Sequence, residues 1–223
     1  MGESLIGTFM TFLPVNLSIE DRLCLVIGGG RVAVRKVQTL LQAGAKVRVI
    51  SPDLDPRLQK LATAGRIQWK PRRFKKCDLK PAWLVIAAAA DRDLNRQIQT
   101  EAKRRRLWVN AVDDPENSSV IFPSFLCRGG LVVAISTSGQ SPALSRKIRE
   151  SLEHQWNPKT GTCLEWIGRF REQVKAKISN PRQRFRFWDQ ALTPKVIKLI
   201  RQGKIAELKR SLKTQFKKFP GAK

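Results

Sequence analysis

The chain has 223 residues, a length that suits one folded unit with a smaller appended domain. A composition of 42% hydrophobic and 27% charged residues is that of a globular protein and excludes a fibrous or wholly disordered chain. With 43 basic and 18 acidic residues the formal net charge is +25, which predicts an anionic partner: nucleic acid, an anionic membrane surface, or a ligand rich in carboxylates or phosphates.

Scarce residue types restrict the chemistry further. The chain has no tyrosine, which excludes reductases that depend on a tyrosine–lysine pair, and His154 is its only histidine, which leaves little room for histidine metal sites or triads. We therefore predict no metal site and expect a carboxylate as any acid or base. The cysteines lack C-x-x-C spacing and adjoin apolar runs, which predicts buried, reduced thiols: Cys24, Cys77, Cys127 and Cys163.

The chain carries no signal for a membrane or for export. No apolar run approaches the ~20 residues that span a bilayer. The first fourteen residues lack a basic leading region and an A-x-A cleavage site. We therefore expect a cytoplasmic protein without a membrane partner.

The first half alternates short apolar runs with amphipathic segments. Residues 23–27 predict a strand that ends at three glycines, and the next residues predict a helix that stops at Ala43–Gly44. Further strands are predicted at 46–50, 67–69, 83–88 and 108–112, and further helices at 56–64 and 91–105. Strands that alternate with helices predict an α/β fold with a Rossmann-type parallel sheet.

The pattern changes after Pro115. Residues 120–122 and 131–135 predict two strands, with a glycine turn before the second, and Ser141–Pro142 opens a helix that runs to about His154. The remainder has helical periodicity, and residues 151–223 carry eighteen basic and five acidic residues. We predict three parts: a Rossmann domain over 1–118, a β,β,α segment over 119–150 and a basic helical domain over 151–223.

A glycine motif lies inside the first strand–helix–strand unit. Gly28, Gly29 and Gly30, followed by Arg31-Val32-Ala33, fit G-x-G-x-x-A, the fingerprint of dinucleotide binding when it joins a strand to a helix. The first glycine permits the tight turn, Gly30 lets a diphosphate approach the backbone, and exposed N–H groups at the helix start face the phosphates. The alternative is a glycine-rich turn that binds nothing.

Polar residues after the next strands have two interpretations each. Asp53 follows the second strand and is expected either to accept hydrogen bonds from the ribose hydroxyls or to cap the next helix. No arginine directly follows that strand, which favours NAD over NADP. After the 83–88 strand, Ala88, Asp91 and Asn95 are expected either to contact the cofactor or, for the two polar residues, to cap the helix.

Asp113 directly follows the last strand of the predicted sheet. Ligands of open α/β sheets bind at the carboxyl ends of the strands, where a carboxylate can orient a substrate or accept a proton. The alternative is a turn, since Asp113-Asp114-Pro115 is ordinary loop sequence.

These motifs, in this order, resemble the precorrin-2 dehydrogenases, the family that includes the N-terminal module of siroheme synthase. The similarity covers about residues 12–153 and is most specific in its later blocks. The matching segments are 26–36, 87–91 with Asn95, Asn110-Ala111-Val112-Asp113, 122–124, and 134–144, which contains Ser-Gly-Gln-Ser-Pro.

The resemblance implies NAD-dependent oxidation of precorrin-2 to sirohydrochlorin, on the route to siroheme or cobalamin. It implies a catalytic role for Asp113, NAD contacts at Arg31, Val32, Pro52 and Asp53, and a homodimer formed through residues 119–150. Some members also insert iron with the same carboxylate. No methyltransferase module follows, which implies that another protein methylates uroporphyrinogen.

Precorrin-2 carries eight carboxylates, which suits a strongly basic protein. Hydroxyl donors for these acids are expected at Ser136, Thr137, Ser138 and Ser141; the alternative for each is membership of a capping and turn cluster before the helix at Pro142.

Two other functions stay open. Basic runs such as 72–76 and 103–106 can track phosphates, although no nucleic-acid-binding signature accompanies them, which weighs against a nucleic-acid partner. An NAD-binding sensor with an inert Asp113 would bind NAD without turnover.

Overall fold

The structure is a computed structural model, and it describes residues 12–112 and 114–221. By its internal contacts the chain divides into two compact units, with the boundary between Phe122 and Pro123. Each unit is described by itself.

The first unit is built around a five-stranded parallel sheet with strand order β3-β2-β1-β4-β5. Its elements are β1 (Leu23–Ile27), α1 (Arg31–Gln42), β2 (Lys46–Ile50), α2 (Pro56–Thr63), β3 (Gln68–Lys70), β4 (Leu84–Ala87), α3 (Arg92–Arg104) and β5 (Trp108–Ala111). In register, Val26 of β1 pairs with Val49 of β2 on one side and with Ile86 of β4 on the other. The strand order reverses between β1 and β4, the position at which such sheets open a crevice. The predicted Rossmann-type fold is confirmed.

Both faces of this sheet are covered, which explains why β1 is a continuous apolar run. On one face Cys24 and Val26 pack in a cluster with Val34, Val37 and Leu40 of α1. On the other face Leu25 and Ile27 pack in a cluster with Val85 of β4 and with Ile98 and Ala102 of α3. The crevice at the strand ends therefore rests on a closely packed core.

The connection from β3 to β4 contains a short 3-10 turn, Lys76–Leu79, which the sequence analysis did not predict. The Arg72 guanidinium binds the Asp78 carboxylate through two hydrogen bonds of 2.6 and 2.8 Å, and the Lys75 amide donates a third. Hydrogen bonding from Arg72 holds the pKa of Asp78 below its usual range. These contacts fix the backbone on both sides of Phe74.

The second unit pairs a β-hairpin with helices. Its elements are β6 (Ser124–Arg128), β7 (Leu131–Ile135), α4 (Pro142–Gln155), α5 (Thr160–Lys177), α6 (Pro181–Ala191), α7 (Pro194–Arg201) and α8 (Ile205–Lys218). The last four helices enclose an aromatic cluster in which Phe170, Phe187 and Phe216 make edge-to-face contacts at 5.3–6.5 Å. None of the helices that the structure describes, in either unit, has the length and apolarity needed to cross a membrane.

Two sequence predictions are corrected by the structure. The strand expected at 120–122 instead begins at Ser124. The preceding residues run along the edge of β5, but side chains make several of the bonds: the Ser119 and Ser118 hydroxyls accept from the amides of Val109 and Ala111 at 2.8 and 2.9 Å. The four cysteines were expected to be buried, whereas Cys77 and Cys127 are exposed. All four are free thiols.

Candidate active site

A cleft of about 1580 Å³ opens at the carboxyl ends of β1, β2 and β4. Drug-sized ligand pockets have volumes of about 300–1,000 Å³, so this cleft has room for a ligand as long as a dinucleotide. Its lining includes residues 27–32, 50–53, 72–74, 88–97, Gln99, Val112, Asp114 and Asn117. All of them belong to the first unit.

The turn after β1 lies very close to two neighbouring segments of the chain, at Ala88 and at Asp53. Gly28 has a φ of +116°, and a β-carbon at this residue would collide with the carbonyl group of Ala88. A β-carbon on Gly29 would collide with the backbone carbonyl oxygen of Asp53, while the Gly29 carbonyl accepts a 2.7 Å hydrogen bond from the Asp55 amide. These two positions therefore require glycine for structural reasons alone.

Gly30 is different, because a β-carbon there would meet nothing within 4 Å. It is the N-cap residue of α1, provides no side-chain cap, and is followed by a first turn without acidic residues. The first amides of a helix have no partner inside the helix, so this start presents N–H groups and the positive end of the helix dipole to the cleft. Exposed Arg31 adds a full positive charge. This arrangement suits an anion, and a diphosphate above all.

At the end of β2 the structure shows which residue caps the next helix, one of the two roles expected for Asp53. The residue that caps α2 is Asp55, whose carboxylate accepts from the Arg57 amide at 3.0 Å and from the Arg57 guanidinium at 2.9 Å. Hydrogen bonding from Arg57 lowers the pKa of Asp55 to about 2. Asp53 is exposed and lines the cleft beside Pro52. The capping interpretation of Asp53 is therefore wrong, and its carboxylate is available to a ligand.

At the end of β4 the polar residues have structural partners. Asp91 is the N-cap of α3, and its carboxylate accepts from the amides of Asp93 and Leu94 at 2.9 and 3.1 Å. Asn95 exchanges two hydrogen bonds with the backbone of Ala89. Ala88 contributes its carbonyl to the close contact with Gly28. These three residues shape the cleft wall, and direct contact with a cofactor stays a prediction for each.

The segment after β5 reaches the cleft on either side of Asp113, which itself lies outside the described residues. Val112 and Asp114 both line the cleft. Ser118 is buried, and its hydroxyl accepts from the Ala111 amide at 2.9 Å and donates to the Asp114 carbonyl at 2.8 Å. Ser118 thus fixes the backbone before and after this position, a role that the sequence analysis missed.

The four hydroxyl residues expected to bind substrate lie in the second unit, around the start of α4. Ser141 caps this helix by accepting from the Leu144 amide at 3.3 Å. The Thr137 hydroxyl accepts from the Ser141 amide at 3.0 Å, and the Ser136 hydroxyl accepts from the Ser138 amide at 3.1 Å. Ser138 has a φ of +52° and is exposed. The capping alternative therefore describes Ser141 correctly, and substrate contact stays a prediction for all four.

Sequence reasoning missed several residues of the first unit. Phe74 and Gln99 line the cleft, although 72–76 reads as a basic run and Gln99 carries no motif. Lys36 of α1 places its ammonium 3.9 Å from the centre of the Phe122 ring. Burial, and secondarily the charge of Arg35, lowers the pKa of Lys36 to about 8. No local sequence pattern predicts the contact between Lys36 and Phe122, because these residues are far apart in the chain.

Three family models match successive parts of the chain. Residues 15–124 match a family described as "Putative NAD(P)-binding", residues 128–155 match "Sirohaem biosynthesis protein central", and residues 159–216 match "Sirohaem synthase dimerisation region". The last region does not coincide with the dimerisation segment predicted at 119–150.

The curated relatives include longer proteins. The chain is 40% identical to siroheme synthase 1 of Serratia proteamaculans over 94% of its own length, and 41% identical to siroheme synthase of Photorhabdus laumondii over 92%. It spans only 44% of the length of each of these relatives. Among solved structures, "SirC, precorrin-2 dehydrogenase" superposes with a TM-score of 0.75 at 22% identity, covering 92% of this chain and 100% of SirC. That similarity shows a shared fold.

Proposed function

We propose that the chain is a member of the siroheme synthase family and that it oxidises precorrin-2 to sirohydrochlorin with NAD. Support comes from the three family matches, over residues 15–124, 128–155 and 159–216, and from the 40% identity to siroheme synthase 1. The reaction removes two hydrogens: one leaves as hydride and the other as a proton, giving NADH and H⁺. Methylation and metal insertion are separate reactions that this proposal does not require.

The observation that carries the proposal is the start of α1. A side-chain-free N-cap at Gly30, open space above it and an uncapped helix terminus fit the two phosphates of a dinucleotide. The bound nicotinamide supplies the hydride acceptor. We assign to Asp53 the acceptance of hydrogen bonds from ribose hydroxyls; its exposure in the cleft after β2 supports this role.

The remaining residues are proposed to act on the substrate. We assign to Asp113 the acceptance of the proton that leaves precorrin-2, because in the sequence it comes two residues after the last residue of β5. The net charge of +25 suits a ligand with many carboxylates. Ser136, Thr137, Ser138 and Ser141 remain candidates for hydrogen bonds to those groups. A cytoplasmic location is part of the same proposal.

We also propose that the working form is a homodimer. Support comes from the match of residues 159–216 to a dimerisation region. Sedimentation equilibrium of the full chain tests this proposal, and a monomer at all concentrations up to those of the activity assay would refute it.

The test of the reaction supplies the full chain with precorrin-2 and NAD and follows both NADH and the visible spectrum of sirohydrochlorin. We expect turnover by the wild type and a loss of about 10²-fold or more in Asp113→Asn, because that variant lacks the base. Glu116→Gln, an exposed carboxylate three residues away, is the matched control and should turn over normally.

Two results would contradict the proposal. Binding of NAD without any oxidation of precorrin-2 would favour a sensor. An Asp113→Asn variant as fast as the wild type would remove this carboxylate from the mechanism.

A further inference from the structure

We propose that Gln99 and Phe74 form the subsite for the purine base of the dinucleotide, with the Gln99 side-chain amide as hydrogen-bond donor to the base. This inference rests on the proposed function and goes beyond it, because it names the residues that distinguish the base from the rest of the cofactor.

Both residues line the cleft, and Phe74 is tied to α3 by packing. Phe74 follows β3, and its ring packs together with Leu94 of α3 against the buried cluster that contains Ile27 and Ile50. Phe74, Leu94 and Gln99 all line the cleft. Phe74 and Leu94 give this part of the cleft an aromatic and aliphatic surface, and Gln99 adds an amide group, a combination that suits a flat heteroaromatic ring.

Gln99 is unusual because it is buried while the nitrogen of its side-chain amide makes no hydrogen bond to the described residues. The residue is 3% exposed, and its Nε2 atom has no hydrogen-bond partner within residues 12–112 and 114–221. Buried polar groups in native proteins nearly always have partners, because an unpaired one costs about 1–3 kcal/mol. One turn earlier on α3, Asn95 is also buried, but both ends of its amide are bonded to Ala89. A ligand that accepts a hydrogen bond accounts for the difference.

The position in the sheet selects the base rather than another part of the cofactor. The phosphates belong at the start of α1, and the adjoining ribose belongs at Asp53, after β2. The next strand outward from β2 is β3, and the segment that follows it carries Phe74. A ligand that continues from phosphate through ribose in this direction therefore brings its base to Phe74. Phe74 packs against the same buried cluster as Leu94 of α3, the helix that also carries Gln99.

The chemistry of a purine matches this surface. Its faces are apolar enough to pack against Phe74 and Leu94, and its ring nitrogens accept hydrogen bonds. The final torsion of a glutamine side chain has broad, roughly two-fold preferences, so the amide can turn to present Nε2 to the ligand at little cost.

The experiment compares the wild type with Gln99→Met, which keeps the length of the side chain but removes the donor. Titration calorimetry uses three probes: NAD, ADP and nicotinamide mononucleotide. We expect Gln99→Met to weaken the binding of both NAD and ADP about tenfold, the effect of one neutral hydrogen bond, and to leave nicotinamide mononucleotide unchanged. Gln38→Met, an exposed change on α1, is the control and should bind all three probes normally.

Thermal unfolding without ligand provides a second readout. Because Gln99→Met removes an unpaired buried amide, the variant should be at least as stable as the wild type, and its weaker binding then cannot be ascribed to misfolding. A variant that is less stable without ligand would contradict the inference, since the amide would then have a partner inside the protein.

The binding results separate this inference from the proposed function. If Gln99→Met binds ADP as tightly as the wild type, or loses affinity for nicotinamide mononucleotide instead, the base subsite is refuted while precorrin-2 oxidation stands. If binding follows the expectation but precorrin-2 is not oxidised, the subsite is supported and the proposed reaction fails.

Discussion

The side-chain amide of Asn95 and the backbone of Ala89 exchange two hydrogen bonds: the Ala89 amide donates to Oδ1 at 3.0 Å, and Nδ2 donates to the Ala89 carbonyl at 2.9 Å. Asn95 thereby holds the loop between β4 and α3 in the shape that forms one wall of the cleft. A side chain six positions along the chain therefore pairs both backbone groups of Ala89, which lies beyond the end of β4.

Asn95→Ala should destabilise the protein by about 1–3 kcal/mol, because it leaves two backbone groups of a partly buried loop unpaired. Urea unfolding of the full chain measures the change. Gln97→Ala, an exposed substitution on the same helix, should stay within about 0.5 kcal/mol of the wild type. Equal stability of the two variants would contradict a structural role for Asn95.

Gly28→Ala should mainly lower the stability of the protein, whereas Gly30→Ala should mainly lower its affinity for NAD. Gly28 combines a φ of +116° with the collision against Ala88, so the alanine variant should lose about 2 kcal/mol or more of stability. At Gly30 an added methyl group meets only open space, and the variant should fold with a loss of less than about 1 kcal/mol. Its affinity for NAD should nevertheless fall at least tenfold, because the methyl group occupies the space proposed for the diphosphate. Unfolding and calorimetry of both variants test the pair, and unchanged NAD binding by Gly30→Ala would argue against the phosphate site.

Lys36 should make stability depend on pH in the alkaline range. Burial lowers its pKa to about 8 in the folded protein, against an ordinary value of 10.5, so the unfolded chain holds more protons between these values. Stability linked to Lys36 therefore rises as the pH increases from about 8 toward 10, as the buried ammonium loses its charge. Lys36→Met removes the charge and should abolish this rise. Melting temperatures of both proteins from pH 7 to pH 10 give the measurement, and parallel curves would contradict the expectation.

The hairpin of the second unit contains two adjacent glycines with different constraints. Gly129 has a φ of +61°, and a β-carbon there would lie 2.7 Å from the Cα atom of Gly161. A β-carbon at Gly130 would meet nothing within 4 Å. Gly129→Ala should therefore cost about 2 kcal/mol or more, and Gly130→Ala should be nearly neutral. Thermal unfolding of the pair is the test, and similar melting temperatures would refute a close backbone approach between the hairpin and α5.

The sequence predicted the strands, helices and glycine turn of the first unit because each depends on local patterns: apolar runs, helical periodicity and a glycine motif in its required context. Ser118 and Ser119 show what such patterns do not predict. Their hydroxyls bond the amides of β5, so the residues after them align with the strand edge, and β6 starts only at Ser124. A hydrophobic pattern does not distinguish a side-chain bond from a backbone bond.

Residues with no motif of their own were likewise beyond sequence reasoning. Gln99 lies on a predominantly polar helix and carries no motif, and only the packing of α3 on the sheet makes it a cleft residue. Cys77 follows two lysines in the connection between β3 and β4, and it is exposed in the 3-10 turn there, although cysteine is usually buried. Both outcomes depend on tertiary contacts.

The contacts around Gly28 and Gly29 have a consequence for how tightly a nucleotide can be held. The Gly28 amide donates to the Ile50 carbonyl at 2.9 Å and the Gly29 carbonyl accepts from the Asp55 amide at 2.7 Å, so the backbone of the turn is restrained before any ligand arrives. Little conformational entropy is then left to lose on association, and more of the attraction between the amides and the phosphates remains as net affinity.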